Sequence, residues 1–196
     1  MDEFCFVSRK FKFHEPDQLY FISFAVVGWL DVFIRNEYRD ILLESWKYCM
    51  RHKGLEIYGW CIMTNHVHMI IGSHSDLMPN ILRDMKKYTS GRLIKSILEN
   101  PRESRREWMI SYFRQAGGQN SQIKNFQFWQ QDNHPVVLTS AEVAYQKLEY
   151  IHANPVRAGF VDYASSYSYS SAKDYCGQKG FIDIKLLSSM LNRPMN

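Results

Sequence analysis

Apolar positions group along the chain into alternating strand-like and helix-like blocks. Residues 1–17 are polar with interspersed Phe and are expected to form an arm or an edge segment. Gln18 to Val27 is rich in β-formers (Tyr20, Phe21, Ile22, Phe24, Val26, Val27) and predicts the first strand. Gly28 to Arg35 reads as a loop, after which Asn36 is placed to cap a helix. Tyr38, Ile41, Leu42, Ser45, Trp46 and Cys49 recur at helical spacing, and Gly54 closes that helix. Leu55 to Met63 and His66 to Gly72 predict two strands joined by a tight turn. Pro79 suits the first turn of the next helix. Ile81, Leu82, Met85, Tyr88, Leu93, Ile94 and Ile97 form its apolar stripe.

Arg102 to Gln115 predicts a further helix stopped by Gly117-Gly118. Phe126 to Gln131 is strand-like and extends through Val136-Val137-Leu138. Thr139-Ser140-Ala141-Glu142 has the spacing of a capping box. It opens a helix with Val143, Ala144, Leu148 and Ile151 inward, ending before Pro155. A short helix is expected at Asp183 to Leu191. This order predicts an α+β fold, a central antiparallel sheet with helices on one face and the other face left free.

The third predicted strand carries the chemistry. Side chains alternate along a strand, so His66 and His68 share one face while Val67, Met69 and Ile71 take the other. Two imidazoles held by one strand can chelate one divalent ion.

Composition narrows the class. A chain of 196 residues is long enough for one full core, with the apolar and charged fractions of a soluble globular protein. The cysteines (5, 49, 61, 176) are scattered without a CxxC pair, which indicates neither a disulfide framework nor a zinc ribbon and fits a reducing cytosol. No signal-peptide pattern is visible, and the apolar run Tyr20 to Leu30 is too short to span a bilayer. The expected location is cytoplasmic, without membrane association. Net charge is +4, yet residues 83–106 hold eight basic and three acidic residues, a local +5. Such clustering suits a polyphosphate partner, and it also suits a solvated helix face.

Asn65-His66-Val67-His68 on a strand resembles the His-hydrophobe-His (HUH) motif of single-tyrosine transposases from bacterial insertion sequences. Phe128-Trp129-Gln130-Gln131-Asp132-Asn133-His134-Pro135 is similar to the Trp-Gln segment of that superfamily. Tyr150-Ile151-His152-Ala153-Asn154-Pro155-Val156-Arg157-Ala158-Gly159, then Tyr169-Ser170-Ser171-Ala172, resembles the C-terminal signature of the REP-associated tyrosine transposase branch.

The resemblance implies a ferredoxin-like (RRM-like) HUH endonuclease fold in one transposase-like domain over 1–196, with a core of about 18–154 and a C-terminal extension over 155–196. It implies Mg²⁺ or Mn²⁺ held by His66 and His68, and cleavage of hairpin-bearing single-stranded DNA through a 5′-phosphotyrosine. Relatives act as monomers or homodimers. The position aligned with the family's tyrosine is Asn133, and that aligned with the third ligand is Val137, which leaves His134 or Gln131 as substitute ligands.

Tyr88, beside Lys86 and Lys87, is the candidate nucleophile, or else a packed aromatic. Arg83, Lys86, Lys87, Arg92, Lys95 and Arg157 are the candidate DNA contacts, while His152 and Asn154 are expected to cap a helix end. Three readings follow: an active metal-dependent transposase or nickase, a catalytically lapsed DNA-binding relative, and an RNA-binding module. Metal dependence separates the first from the others, and DNA-versus-RNA competition separates the third.

Overall fold

The first strand forms where β-branched and aromatic residues concentrate, as β1 at Tyr20–Ala25. A computed structural model describes residues 18–118, 125–131 and 135–189. Helix α1 (Asn36–Lys53), strands β2 (Leu55–Ile62) and β3 (His66–Ser73), helices α2 (Met78–Glu99) and α3 (Arg106–Gly118), strand β4 (Val136–Val137) and helix α4 (Ala141–Arg157) follow. The strands form one antiparallel sheet of order β2-β3-β1-β4. This order matches the ferredoxin-like plan that the resemblance implies.

Register decides what each face holds. Val67, Met69 and Ile71 pair with Phe24, Ile22 and Tyr20, and Met69 also with Trp60. These residues are buried, and Trp46 of α1 meets Trp60 edge-on at 5.5 Å, so α1 and α2 cover this face. The opposite face carries His66, His68 and Ile70, aligned with Ala25, Ser23 and Phe21. Part of it is covered by α4, whose Leu148 and Ile151 sit over Gly59. A Cβ on Gly59 would lie 2.6 Å from Leu148 Cδ1, so the absent side chain lets the helix approach. The histidine face is therefore walled on one side by a helix instead of lying fully open.

Several boundaries differ from expectation. The N-cap of α1 is Arg35, without a side-chain cap; Asn36 lies inside the helix and accepts from Arg39 at 3.4 Å. Gly54 closes α1 in the left-handed region at φ 69°, as expected. The cap of α4 is Ser140, whose Oγ accepts from Val143 N at 3.2 Å, one position beyond the expected Thr139. That helix also runs through Pro155, two residues before its last residue, where the lost bond to the Ile151 carbonyl affects the final turn alone. Helix α3 begins later than expected, at Arg106, since Glu103 holds the backbone N–H of Arg105 in a turn. The strand around Trp129 is reduced to one bridge with Val26, because Trp129 turns its Nε1 to Thr89 of α2. Of the helix expected at Asp183 to Leu191, a single turn at Leu187–Ser189 is described; 190–196 lie outside the described residues.

The Tyr/Ser-rich C-terminal stretch seals the exposed edge of β2. Ile62 N donates to Tyr169 O at 2.9 Å, Ser171 N donates to Trp60 O at 2.9 Å, and Lys185 N donates to Ile57 O at 2.9 Å. An unpaired strand edge invites association, and this segment removes most of it.

A buried carboxylate anchors the loop before α1. Glu103 accepts from Arg35 Nε at 3.0 Å and Arg105 Nε at 3.1 Å. Burial alone would raise its carboxyl; hydrogen bonds from Arg105 and Arg35 outweigh it and hold the group below the usual carboxylate range. A lowered folded value means this stability is present above the unfolded value and is lost as pH falls through the folded one. Glu103→Gln is expected to cost about 1–3 kcal/mol at neutral pH. Denaturant titrations should show the gap to wild type closing in acid.

Candidate active site

Asn65, in the turn between β2 and β3, fixes the first histidine. Its Nδ2 donates to Asp31 Oδ1 at 3.0 Å and to Trp29 O at 3.2 Å. Both partners are acceptors, so Oδ1 is the amide atom facing His66 Nδ1, at 2.6 Å. His66 must then donate from Nδ1, which leaves the Nε2 lone pair available. An outer residue that sets tautomer and ring angle is a recurrent feature of metal-binding histidines.

His68 is only 5% exposed and stacks on Phe21 at 5.7 Å. Among the described residues neither of its ring nitrogens has a hydrogen-bond partner. Burial, then the neighbouring His66 and Lys147, push its pKa down to about 3. A neutral buried imidazole with an uncommitted lone pair is costly unless something binds it. The two rings lie 4.7 Å apart, edge to face. This pair fits a divalent ion chemically. Among the described residues no third His, Cys, Asp or Glu completes a cluster with it.

Helix α4 brings a tyrosine to the pair. The Tyr150 ring meets His68 edge-on at 5.2 Å and Phe21 at 6.0 Å. Lys147 Nζ lies 5.9 Å and Arg157 Cζ 5.8 Å from the same ring. Positions 147, 150, 154 and 157 share one helical stripe. Asn154, one turn beyond Tyr150, donates from Nδ2 to Tyr150 O at 2.8 Å.

The other expected residues fall elsewhere. Tyr88 is 50% exposed on α2, in a cleft of about 570 Å³ with Tyr48, Cys49 and Lys53 of α1. That cleft belongs to the helices packed on the face opposite the histidines, and Tyr88 is not brought to His68. Arg83 bonds Asp84 and Asn80, and Lys86 Nζ reaches Gln130 O at 2.9 Å. Lys87 is exposed on the same helix. Arg92 and Lys95 line a second cleft with Glu37, Asp40 and Glu44, so acidic residues offset much of the local positive charge. Among the six expected cations, Arg157 is the one in contact with Tyr150.

Val137 pairs with Tyr20 in β4, Gln131 is exposed, and Asn133 and His134 lie outside the described residues. His152 does not cap the helix end. Its Nε2 meets Ser171 Oγ at 2.9 Å, and burial pushes its pKa down to about 4, so it ties α4 to the C-terminal segment. Asn154 bonds a carbonyl within α4 instead of capping its last turn. Sequence reasoning missed Tyr150 and Lys147. The available signal was their helical register with Arg157, flanking the apolar stripe Ala144, Leu148, Ile151.

A four-stranded antiparallel sheet with a histidine pair on a central strand defines an α+β domain of ferredoxin-like plan. The chain belongs to the family of IS200-like transposases, whose family model matches residues 31–131. That span runs from before α1 to the Trp129-Gln130 segment and includes both histidines. The fold is similar to that of a REP-associated tyrosine transposase solved bound to a REP hairpin, at 17% identity and TM-score 0.62, covering 91% of this chain and 93% of that one. A putative transposase from Deinococcus radiodurans matches at 18% identity and TM-score 0.41, covering 74% of this chain and 95% of that one. Comparison with curated proteins gave no match. Among the described residues no helix is long and apolar enough to cross a membrane.

Proposed function

We propose that this protein cuts and rejoins single-stranded DNA by transesterification, with Tyr150 as nucleophile beside a divalent ion, Mg²⁺ or Mn²⁺, at His66 and His68. The observation that carries the reading is the contact of the Tyr150 ring with His68, which is buried and without a hydrogen-bond partner among the described residues. Family membership supports DNA as the substrate, and the hairpin bound by the structurally similar REP-associated protein supports a folded single strand as its form.

His66 Nε2 and a His68 nitrogen would hold the ion, with the Asn154 amide oxygen as the further donor, since its Nδ2 is already committed. When bound, the ion supplies charge neutralisation at the scissile phosphate. The chain's own groups do the rest. Lys147 and Arg157 flank Tyr150 and pair with phosphate oxygens, positioning the strand. Tyr150 Oη attacks phosphorus, giving up its proton to solvent. The P–O3′ bond breaks, the 3′ oxygen takes a proton, and the 5′ phosphate stays on tyrosine. The phosphotyrosine retains the bond energy, so reversal by another 3′-OH needs no nucleotide cofactor.

Covalent trapping tests this. The protein is incubated with Mn²⁺ and labelled hairpin-bearing single strands from the DNA flanking its gene, then run on a denaturing gel. The expected labelled band disappears in EDTA. Tight hairpin binding without a band would favour the lapsed binder and bring Asn133 forward as its explanation. Preferential competition by RNA would favour the RNA-binding reading. Arg157→Ala is expected to weaken strand binding roughly threefold to tenfold, with a shallower salt dependence in anisotropy titrations.

A further inference from the structure

The loop between β1 and α1 displays a bulky aromatic at an energetic cost. Trp29 is 56% exposed and adopts φ 55°, directly after Gly28 at φ 66°. The left-handed region disfavours a Cβ-bearing residue, most of all a large one. The conformation is held from both sides: Val26 N donates to Asn65 O and Phe33 N to Thr64 O, each at 2.8 Å, and Trp29 O accepts from Asn65. Neither burial nor turn geometry calls for tryptophan here. Glycine would take this backbone more easily, so the ring itself requires an explanation.

Its neighbours provide one. The Trp29 ring contacts His66 edge-on at 5.6 Å. At the preceding residue, the Tyr112 hydroxyl of α3 occupies the space where a Gly28 Cβ would stand. Tyr112 lies 6.3 Å from Trp108, itself 55% exposed one helical turn away. Trp108, Tyr112 and Trp29 thus form an aromatic ledge leading from α3 to the histidine pair. Arg106 and Arg114 lie on the same helix, whose single acidic residue is Glu107.

We infer that this ledge stacks unpaired bases of the single strand, steering the chain into the site past His66. The inference rests on the proposed single-strand reading. Open aromatic faces with adjacent cations, continuous with a phosphate-processing site, are what sequence-tolerant single-strand binding requires. A duplex keeps its base faces stacked internally and could not use them.

The test is binding in EDTA, where no cleavage intervenes, by anisotropy with fluorescein-labelled oligo-dT and a labelled duplex. Trp29→Gly is expected to weaken oligo-dT binding roughly tenfold, Trp108→Ala less, and Trp29→Phe to retain most affinity. Duplex binding should stay unchanged, and Trp29→Gly should unfold at no lower denaturant than wild type. Oligo-dT affinity for Trp29→Gly within about twofold of wild type would overturn the inference. So would marked destabilisation of that variant, which would give the ring a structural role. A Tyr150 adduct with undiminished Trp29→Gly binding removes the ledge and keeps the strand-transfer reading. Weakened binding in a protein that forms no adduct does the reverse.

Discussion

Tyr150→Phe is expected to abolish the covalent DNA adduct and reduce strand cleavage at least roughly 1,000-fold, with hairpin affinity nearly unchanged. The substitution removes one oxygen. Its ring contacts with His68 and Phe21 would remain, so α4 should keep its place on the sheet. Lys147 and Arg157 would still be present to bind phosphate. Loss of adduct with intact binding is therefore the signature of a nucleophile, and parallel loss of both would point to a positioning role. Tyr88→Phe is the control: it sits among α1 and α2 side chains across the sheet, and adduct yield should match wild type. A band that survives Tyr150→Phe and vanishes in Tyr88→Phe would reverse the assignment.

That contrast shows where sequence reasoning ended. The sheet was legible because β1, β2 and β3 are dense in β-formers and the alternation in β3 separates histidines from core residues. Gly54 marked the end of α1 for a purely local reason, its left-handed backbone. The histidine pair was legible because spacing on a strand alone fixes a shared face. Tyr150 was not, since helical periodicity identifies the inward stripe Ala144, Leu148, Ile151 but not what the flanking stripe meets. That depends on how α4 crosses the sheet, which Gly59 permits and no local pattern announces. Tyr88 looked attractive for its lysine neighbours, but Lys86 reaches over to Gln130. Trp29 escaped notice because a positive φ at a non-glycine residue has no sequence signature; it follows from the hydrogen bonds Asn65 makes at the turn between β2 and β3.

His68→Leu should separate stability from function. Both His68 ring nitrogens are buried without partners among the described residues, which leaves an unsatisfied polar ring beside Phe21 and Tyr150 in the metal-free protein. Replacing such a group by an apolar side chain of similar volume is neutral to stabilising, here by up to about 1 kcal/mol. Metal response should move the other way. An ion that binds only the folded protein adds about 2.7 kcal/mol at a concentration roughly 100 times its Kd. Mn²⁺ should therefore raise the thermal midpoint of wild type and leave His68→Leu where it stands. His66→Ala should also lose the response, and it should lower metal-free stability because the Asn65 amide loses its His66 partner. The readout is a pair of melting curves with and without Mn²⁺, and needs no substrate. An equal midpoint shift in wild type and His68→Leu would place the ion elsewhere. A metal-free destabilisation by His68→Leu of several kcal/mol would mean that the buried imidazole stabilises the fold by itself.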